Sequence, residues 1–301
     1  MKIVITGASG LIGSYLTSYF SQQNHDIYFL TRNKVKAQSS PNWIYWNSSN
    51  NEIEFEKLEG VQVIIHLAGA SISARWTDDY KNTLRSSRID STRLICRSIA
   101  KLKSPPKVFI SASAIGYYGN HGPEKELTEI DKPGQDFLAK LCWDWENETS
   151  SLNNIGVRVI NLRTGIVLSN KGGALAKMLP IFNLGIGGVL GSGQQIMSWI
   201  ALAEIPHVIE HVLNHSQISG PINLVSPKPV SNGIFTKELG EVIHRAVFLP
   251  VPSFGIKLLF GEMGQTLLLE GAKVIPRKLL DSGYVFRYDD LKLALTAALK
   301  S

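Results

Sequence analysis

The chain has 301 residues, 44% of them hydrophobic and 19% charged, with a formal net charge of +6; this is a soluble globular composition, enough for one large domain or one and a half. No run of eighteen apolar residues occurs, which excludes a membrane-spanning helix, and the apolar opening of "MKIVITGASG" is too short for a signal peptide. Cys96 and Cys142 lack metal-ligand spacing and need no disulfide, so no metal site is expected and the cytoplasm is the expected compartment.

In chain order, "KIVIT" (2–6) is a short apolar run of the kind that forms a buried parallel strand. "LIGSYLTSYFSQQ" then places Leu11, Ile12, Tyr15, Leu16, Tyr19 and Phe20 on one helix face. "DIYFLT" (26–31) and "VQVIIHLAG" (61–69) predict the next strands. A helical stretch runs to about Lys101, and past Pro105-Pro106 comes the strand "KVFISAS" (107–113). "DFLAKLCWDWENETSSL" (136–152) predicts a helix, and "GVRVINLRTGIVL" (156–168) a strand that leaves the sheet. Strands alternating with helices imply an α/β fold, a Rossmann-type doubly wound parallel sheet covered on both faces. This domain is expected over 1–165, with sheet elements continuing to about 225. From 166 a glycine-rich excursion begins, a length of chain that is usually functional. Short strands ("PINLVS") and helices ("NGIFTKELGEVIHRA", "SFGIKLLFGEMGQTLLLE", "DDLKLALTAALK") follow. Residues 166–301 thus predict a substrate loop and a smaller C-terminal α/β substrate lobe.

Much of the positive charge lies in 75–107, but Asp78, Asp79 and Asp90 interrupt it and Leu84, Leu94, Ile95 and Ile99 recur at roughly helical spacing. A solvated helix face accounts for this better than a nucleic-acid stripe. A mildly basic surface also suits anionic small molecules such as nucleotides.

The "TGASGLIG" turn joins a strand to a helix. Gly7 permits the tight turn, Gly10 lets backbone approach a pyrophosphate, and Gly13 lets helix pack on strand; Ser9, Leu11 and Ile12 complete the loop. The helix N-terminus offers free N–H groups and a positive dipole end to the anion. A site for NAD usually ends its second strand with a carboxylate that binds the ribose 2′-hydroxyl. Here Thr31 and Arg32 stand in its place, and a guanidinium suits a 2′-phosphate. NADP(H) is the expected cofactor. "GIGGVLG" (185–191) follows no strand and predicts a flexible substrate loop rather than a second cofactor site.

"SASAIGYYGN" (111–120) sets Ser113 four and five residues before Tyr117 and Tyr118. Such residues can orient and protonate a carbonyl, provided that a cation lowers the tyrosine's pKa from its usual ~10. His66 ends a buried strand and reads as a satisfied core histidine.

"TGASGLIG", "HLAGA", "SASAIGYYG" and "LRTGIVL", in this order, resemble the extended and atypical short-chain dehydrogenase/reductases. The chain is most similar to a bacterial NAD(P)-binding, sugar-nucleotide epimerase-like group, through "GGALAKMLP", "GSGQQIMSWI" and the C-terminal "PRKLLDSGYVFRYDDLKLAL". The resemblance implies that Ser113 hydrogen-bonds the reacting oxygen. It also implies that Leu67, Ala68 and Gly69 lie along the cofactor and that Thr164 and Gly165 border its nicotinamide. The usual catalytic pair is a tyrosine with a lysine four residues later on the next helix, where the ammonium stabilises the phenolate. This chain departs from that pattern: Lys140 is present, but Asp136 stands four residues before it. Tyr117 or Tyr118 would supply the phenol, tuned through space by Lys140, or Asp136 would serve as the acid. On the substrate side the resemblance points to Arg75, Trp76, Gln195, Ser198 and Trp199, with Ala201 where a histidine is usual and Glu204 as the nearby acid. For Trp76 and Trp199 core packing competes with ligand contact.

These features predict an NADP(H)-dependent oxidoreductase or epimerase of a nucleotide-sugar-like or small carbonyl substrate, working by reversible hydride transfer. A non-catalytic NADP(H)-binding regulatory or redox-reporting protein is the alternative. No nucleic-acid or membrane partner is expected, and the resemblance suggests a homodimer through the helices at 77–101 and 135–152.

Overall fold

In a computed structural model, which describes residues 1–247 and 249–300, the first half of the chain alternates as its periodicity predicts. β1 (Lys2–Thr6), α1 (Leu11–Gln22) and β2 (Asp26–Thr31) are followed by α2 (Lys34–Ser39), β3 (Trp43–Asn47), β4 (Glu52–Ile53) and β5 (Val63–His66). Then come α3 (Asp78–Ile99), β6 (Val108–Ala114), β7 (Glu126–Leu127), α4 (Phe137–Thr149) and β8 (Arg158–Thr164). The second half comprises β9 (Ile166–Leu168), α5 (Gly173–Asn183), β10 (Ile196–Met197), β11 (Trp199–Ala201), α6 (Ile205–Asn214), β12 (Gly220–Leu224) and β13 (Val230–Ser231). It closes with α7 (Asn232–Val242), α8 (Ser253–Gly264), β14 (Lys273–Val274), α9 (Arg277–Asp281) and α10 (Leu291–Lys300).

The main sheet has the order β12-β8-β6-β5-β1-β2-β3-β4. All its neighbours are parallel except β3 and β4. It is therefore a doubly wound sheet whose direction of winding reverses between β1 and β5, where the C-terminal strand ends leave a crevice for ligands. Successive side chains point to opposite faces, which separates two cores. Ile3, Ile5, Ile65, Ile110 and Ile160 pack under α1 and α6, while Val4, Ile64, Phe109 and Val159 meet Leu94, Ile95 and Ile99 of α3. A third core, with Leu175, Phe182, Trp199, Phe235, Leu239 and Leu295, belongs to the C-terminal lobe. β12 returns from this second half to pair with β8, and β14 pairs with β7.

The "GIGGVLG" segment lies outside the helices and strands but is tied down: Leu190 bridges Val251, and Val251 N donates to the Val189 carbonyl at 2.8 Å. The 253–270 stretch is helical as expected, with a break at Gly261, whose φ is 59°. Of the cations of 75–107, Lys81, Arg85, Arg88, Arg93 and Arg97 lie on α3, and the others lie outside it. Arg85 pairs with Asp144 and Arg93 with Glu148, both on α4, and Lys81 pairs with Glu262. Among the described residues no helix is long and apolar enough to cross a membrane, and no cluster of ligating side chains could hold a metal ion.

Candidate active site

The glycine turn is built as its sequence predicts. Gly7 has a φ of +66°, and a Cβ there would lie 2.9 Å from the Leu67 carbonyl carbon and oxygen. At Gly13 a Cβ would collide with the Gly7 carbonyl, so this helix–strand approach admits glycine alone. Gly10 opens α1 in extended conformation, and no side chain caps it. The first-turn N–H groups of α1 therefore have no side-chain cap.

Behind the turn, Thr6 Oγ1 accepts hydrogen bonds from Leu67 N (3.0 Å) and Ala68 N (3.1 Å) and donates to His66 Nδ1 (2.8 Å). Ser91 Oγ donates to the Ser87 carbonyl, so it accepts from His66 Nε2–H. Burial lowers the His66 pKa to about 3. The histidine is a neutral core residue that fixes the strand end. Arg32, at the end of β2, is exposed and makes no ion pair among the described residues; Thr31 accepts from Asn33 N. Ser9 is exposed on the turn, while Leu11 and Ile12 are half-buried on the first turn of α1. Gly69 is exposed beyond Ala68. On the other flank Thr164 ends β8, and Gly165 is forced by the close approach of the Ser198 carbonyl and Val225.

The expected catalytic cluster assembles differently. Ser113 Oγ donates to Glu146 Oε1 at 2.7 Å, and Glu146 is held by a bidentate ion pair with Arg163, both contacts at 2.9 Å. Arg163 Nη1 donates to the Tyr118 hydroxyl (3.0 Å), which donates to Asn223 Oδ1 (2.6 Å). Asn223 N in turn donates to Glu129. The Arg163 guanidinium also lies 3.4 Å from the centroid of the Tyr117 ring. Burial opposes its charge, yet the bonds and charge of Glu146 outweigh that and hold its pKa above the ordinary value. The cation beside both tyrosines is therefore Arg163 and not Lys140, which is exposed on the outer face of α4. Burial raises the pKa of both tyrosines even so, which is opposite to the direction a proton shuttle near neutrality needs. Asp136 is the N-cap of α4: its carboxylate accepts from Ala139 N at 2.9 Å.

The face of α4 turned toward the sheet carries Leu138, Cys142 and Glu146, each four residues from the next. Leu138 packs on Gly116, where a Cβ would lie 3.3 Å away. Cys142 is buried, and burial pushes its thiol up to about 12. At the spacing where a tyrosine and a lysine are usual, this helix presents a leucine and an inert thiol.

The substrate candidates also separate. Arg75 is exposed on the loop after β5. Trp76 is buried against Phe137 and donates its indole N–H to the Ile72 carbonyl. Gln195 ties the Leu190 and Leu268 carbonyls together, and Trp199, wholly buried, donates to the Lys228 carbonyl. Ser198 and Glu204 are wholly buried; Ser198 binds the backbone of Ala272 and Val274, and Glu204 that of Arg287 and Tyr288. Of this set only Arg75 is exposed. Sequence reasoning missed Glu146, Arg163 and Asn223. One signal was available, since an arginine inside the apolar run "VINLRTGIVL" must find a buried partner.

Residues 3–224 match the NAD dependent epimerase/dehydratase family, and residues 251–298 match a domain of unknown function, DUF1731. The Mycobacterium bovis epimerase family protein Mb2239 is 37% identical over 97% of this chain and 96% of its own length. A human epimerase family protein, SDR39U1, crystallised with NADPH, superposes with a TM-score of 0.88 at 28% identity, with both chains covered completely. A Corynebacterium glutamicum nucleoside-diphosphate sugar epimerase gives a TM-score of 0.80 at 30% identity over 99% of this chain and 58% of that longer one. The chain is a member of the NAD dependent epimerase/dehydratase family. Within it, the whole-length likeness places it beside the epimerase family proteins of the SDR39U1 kind.

Proposed function

We propose that the protein is an NADP(H)-dependent oxidoreductase or epimerase acting on a nucleotide-sugar-like or small carbonyl substrate. The observation that carries this is the uncapped, glycine-built N-terminus of α1 combined with an unpaired Arg32 at the end of β2. The NADPH in the human relative and the name of the Corynebacterium relative support it. The N–H groups of the 7–13 turn would hold the pyrophosphate, Thr31 and Arg32 the 2′-phosphate, Leu67 to Gly69 the ribose side, and Thr164 and Gly165 the nicotinamide border. When bound, the dinucleotide supplies or accepts a hydride. Ser113, one residue before the end of β6, orients the reacting oxygen by turning its hydroxyl from Glu146 toward it. Its setting is the cytoplasm and its partner a small molecule.

Side-by-side fluorescence titration with NADPH and NADH tests this. Wild type should prefer NADPH by at least about tenfold, as expected for the loss of a bidentate charged contact, and Arg32→Asp should abolish the preference. Equal affinities, or none, refute it. A second reading, a protein that binds NADP(H) without turnover, is favoured by Leu138 and Cys142 on the inner face of α4. It predicts that Ser113→Ala changes neither turnover of a carbonyl panel nor cofactor affinity.

A further inference from the structure

Wholly and partly buried arginines in this chain differ in what answers their charge. Arg163 has Glu146. Arg158 donates to the carbonyls of Val212, Leu213, His215 and Ile218 around the end of α6, the negative end of a helix. Arg88 has neither. It lies in the middle of α3, half-buried, and donates only to the carbonyls of Leu84 (3.2 Å) and Ala70 (3.0 Å). Among the described residues no carboxylate pairs with it.

Its position is defined from three sides. A Cβ on Gly69 would lie 3.4 Å from its guanidinium carbon, so it stands directly against the loop leaving β5. Its own helix lies on a second side, through the Leu84 carbonyl that it binds. The Trp145 ring lies 5.3 Å from it. The guanidinium thus sits beside the C-terminal end of β5, next to the switch point where ligands of such sheets bind. A guanidinium stays charged at any working pH, and a partly desolvated one needs an anionic partner.

We propose that Arg88 is an anion-binding residue of the crevice and takes one anionic oxygen of a bound ligand at the end of β5. That oxygen belongs either to the dinucleotide's pyrophosphate or to a carboxylate or phosphate on the substrate. The first source rests on the cofactor site proposed above; the second does not.

The test compares wild type, Arg88→Met and Arg88→Lys by thermal shift and tryptophan emission. The probes are NADPH, 2′-AMP (which lacks both phosphates of the pyrophosphate), oxalate and inorganic phosphate. A substrate oxygen predicts saturable oxalate or phosphate binding in wild type, weakened at least tenfold in Arg88→Met, with NADPH affinity within threefold. A cofactor oxygen predicts NADPH weakened at least tenfold while 2′-AMP is unchanged. If Arg88→Met matches wild type with every probe, the proposal is overturned. Should that variant fail to fold, Arg88→Lys decides: a threefold or greater loss for the affected probe upholds the proposal, and wild-type affinities overturn it. A wild type that binds oxalate but not NADPH sinks the cofactor reading and leaves Arg88 standing.

Discussion

Replacing Glu146 with glutamine would strip the charge from a pair whose arginine side chain is 3% exposed and whose carboxylate is 10% exposed. Arg163 donates Nε to Oε1 and Nη2 to Oε2. A glutamine keeps one acceptor oxygen and turns an amide N–H₂ toward a guanidinium N–H, so one bond is lost and two donors face each other. Removing one partner of a buried ion pair costs about 3–5 kcal/mol. The surviving bond puts this substitution near the lower end, about 3 kcal/mol. At about 2–3 °C per kcal/mol for a chain of this size, the melting temperature should fall by about 6–9 °C. Urea unfolding at pH 7 checks the free energy and differential scanning calorimetry the temperature. Combining Glu146→Gln with Arg163→Met removes the stranded cation as well, and should recover at least half of the loss. A single-variant loss below about 1 kcal/mol, or a double variant no better than the single one, would refute the assignment of this pair as a buried, mutually dependent unit.

Gly13→Ala should abolish NADPH binding within the range of a fluorescence titration and lower stability, since its methyl group would meet the Gly7 carbonyl; retained affinity would mean that the turn does not hold the phosphates. Asp136→Ala should cost about 1 kcal/mol, the worth of an N-cap, with no change in the pH profile of any turnover; a shifted profile would restore the aspartate as an acid. His66 gives a pH signature. Its pKa is lowered from 6.5 to about 3 in the fold, so the unfolded chain takes up the proton first. Its stabilisation is complete above about pH 6.5 and declines as pH falls toward 3, by about 2 kcal/mol between pH 6.5 and 5. Urea melts across that window should lose this part of the slope in His66→Gln; an unchanged slope would show that other groups cause it.

What was legible in the sequence was local. "KIVIT", "DIYFLT" and "KVFISAS" announce buried parallel strands through their own composition, and the phosphate turn through its spacing of glycines. "WIYWN", which forms β3, and "IPHVIEHVLN", which forms α6, escaped: each is short, and each is fixed by the sheet it packs on. The helix expected to carry the catalytic pair was found, but its rotation was not. A shift of two residues turns a helix by more than half a circle, enough to move Lys140 from the crevice to solvent and bring Leu138 and Cys142 inward. The cap at Asp136, a residue type favoured just outside a helix, was the available clue. The Ser113–Glu146–Arg163–Tyr118–Asn223 chain draws on four separate segments, and no spacing rule joins them.

The pairing of β7 with β14 bears on how this chain can be divided. Lys273 and Val274 align with Glu126 and Leu127, and Lys273 pairs with Glu126 at 3.0 Å. The Glu129 carboxylate accepts from both Asn223 N and Lys278 N, and Asn223 Nδ2 donates to the Ile275 carbonyl. The last fifty residues are therefore a clasp closed over the same polar chain that ends at Ser113. A truncation after the main sheet would unfasten that chain from its far end, and a transplant of the tail onto another scaffold would need its receiving strand and acid to travel with it. Tail and sheet share one chain of hydrogen bonds that runs from Ile275 and Lys278 through Glu129, Asn223, Tyr118, Arg163 and Glu146 to Ser113.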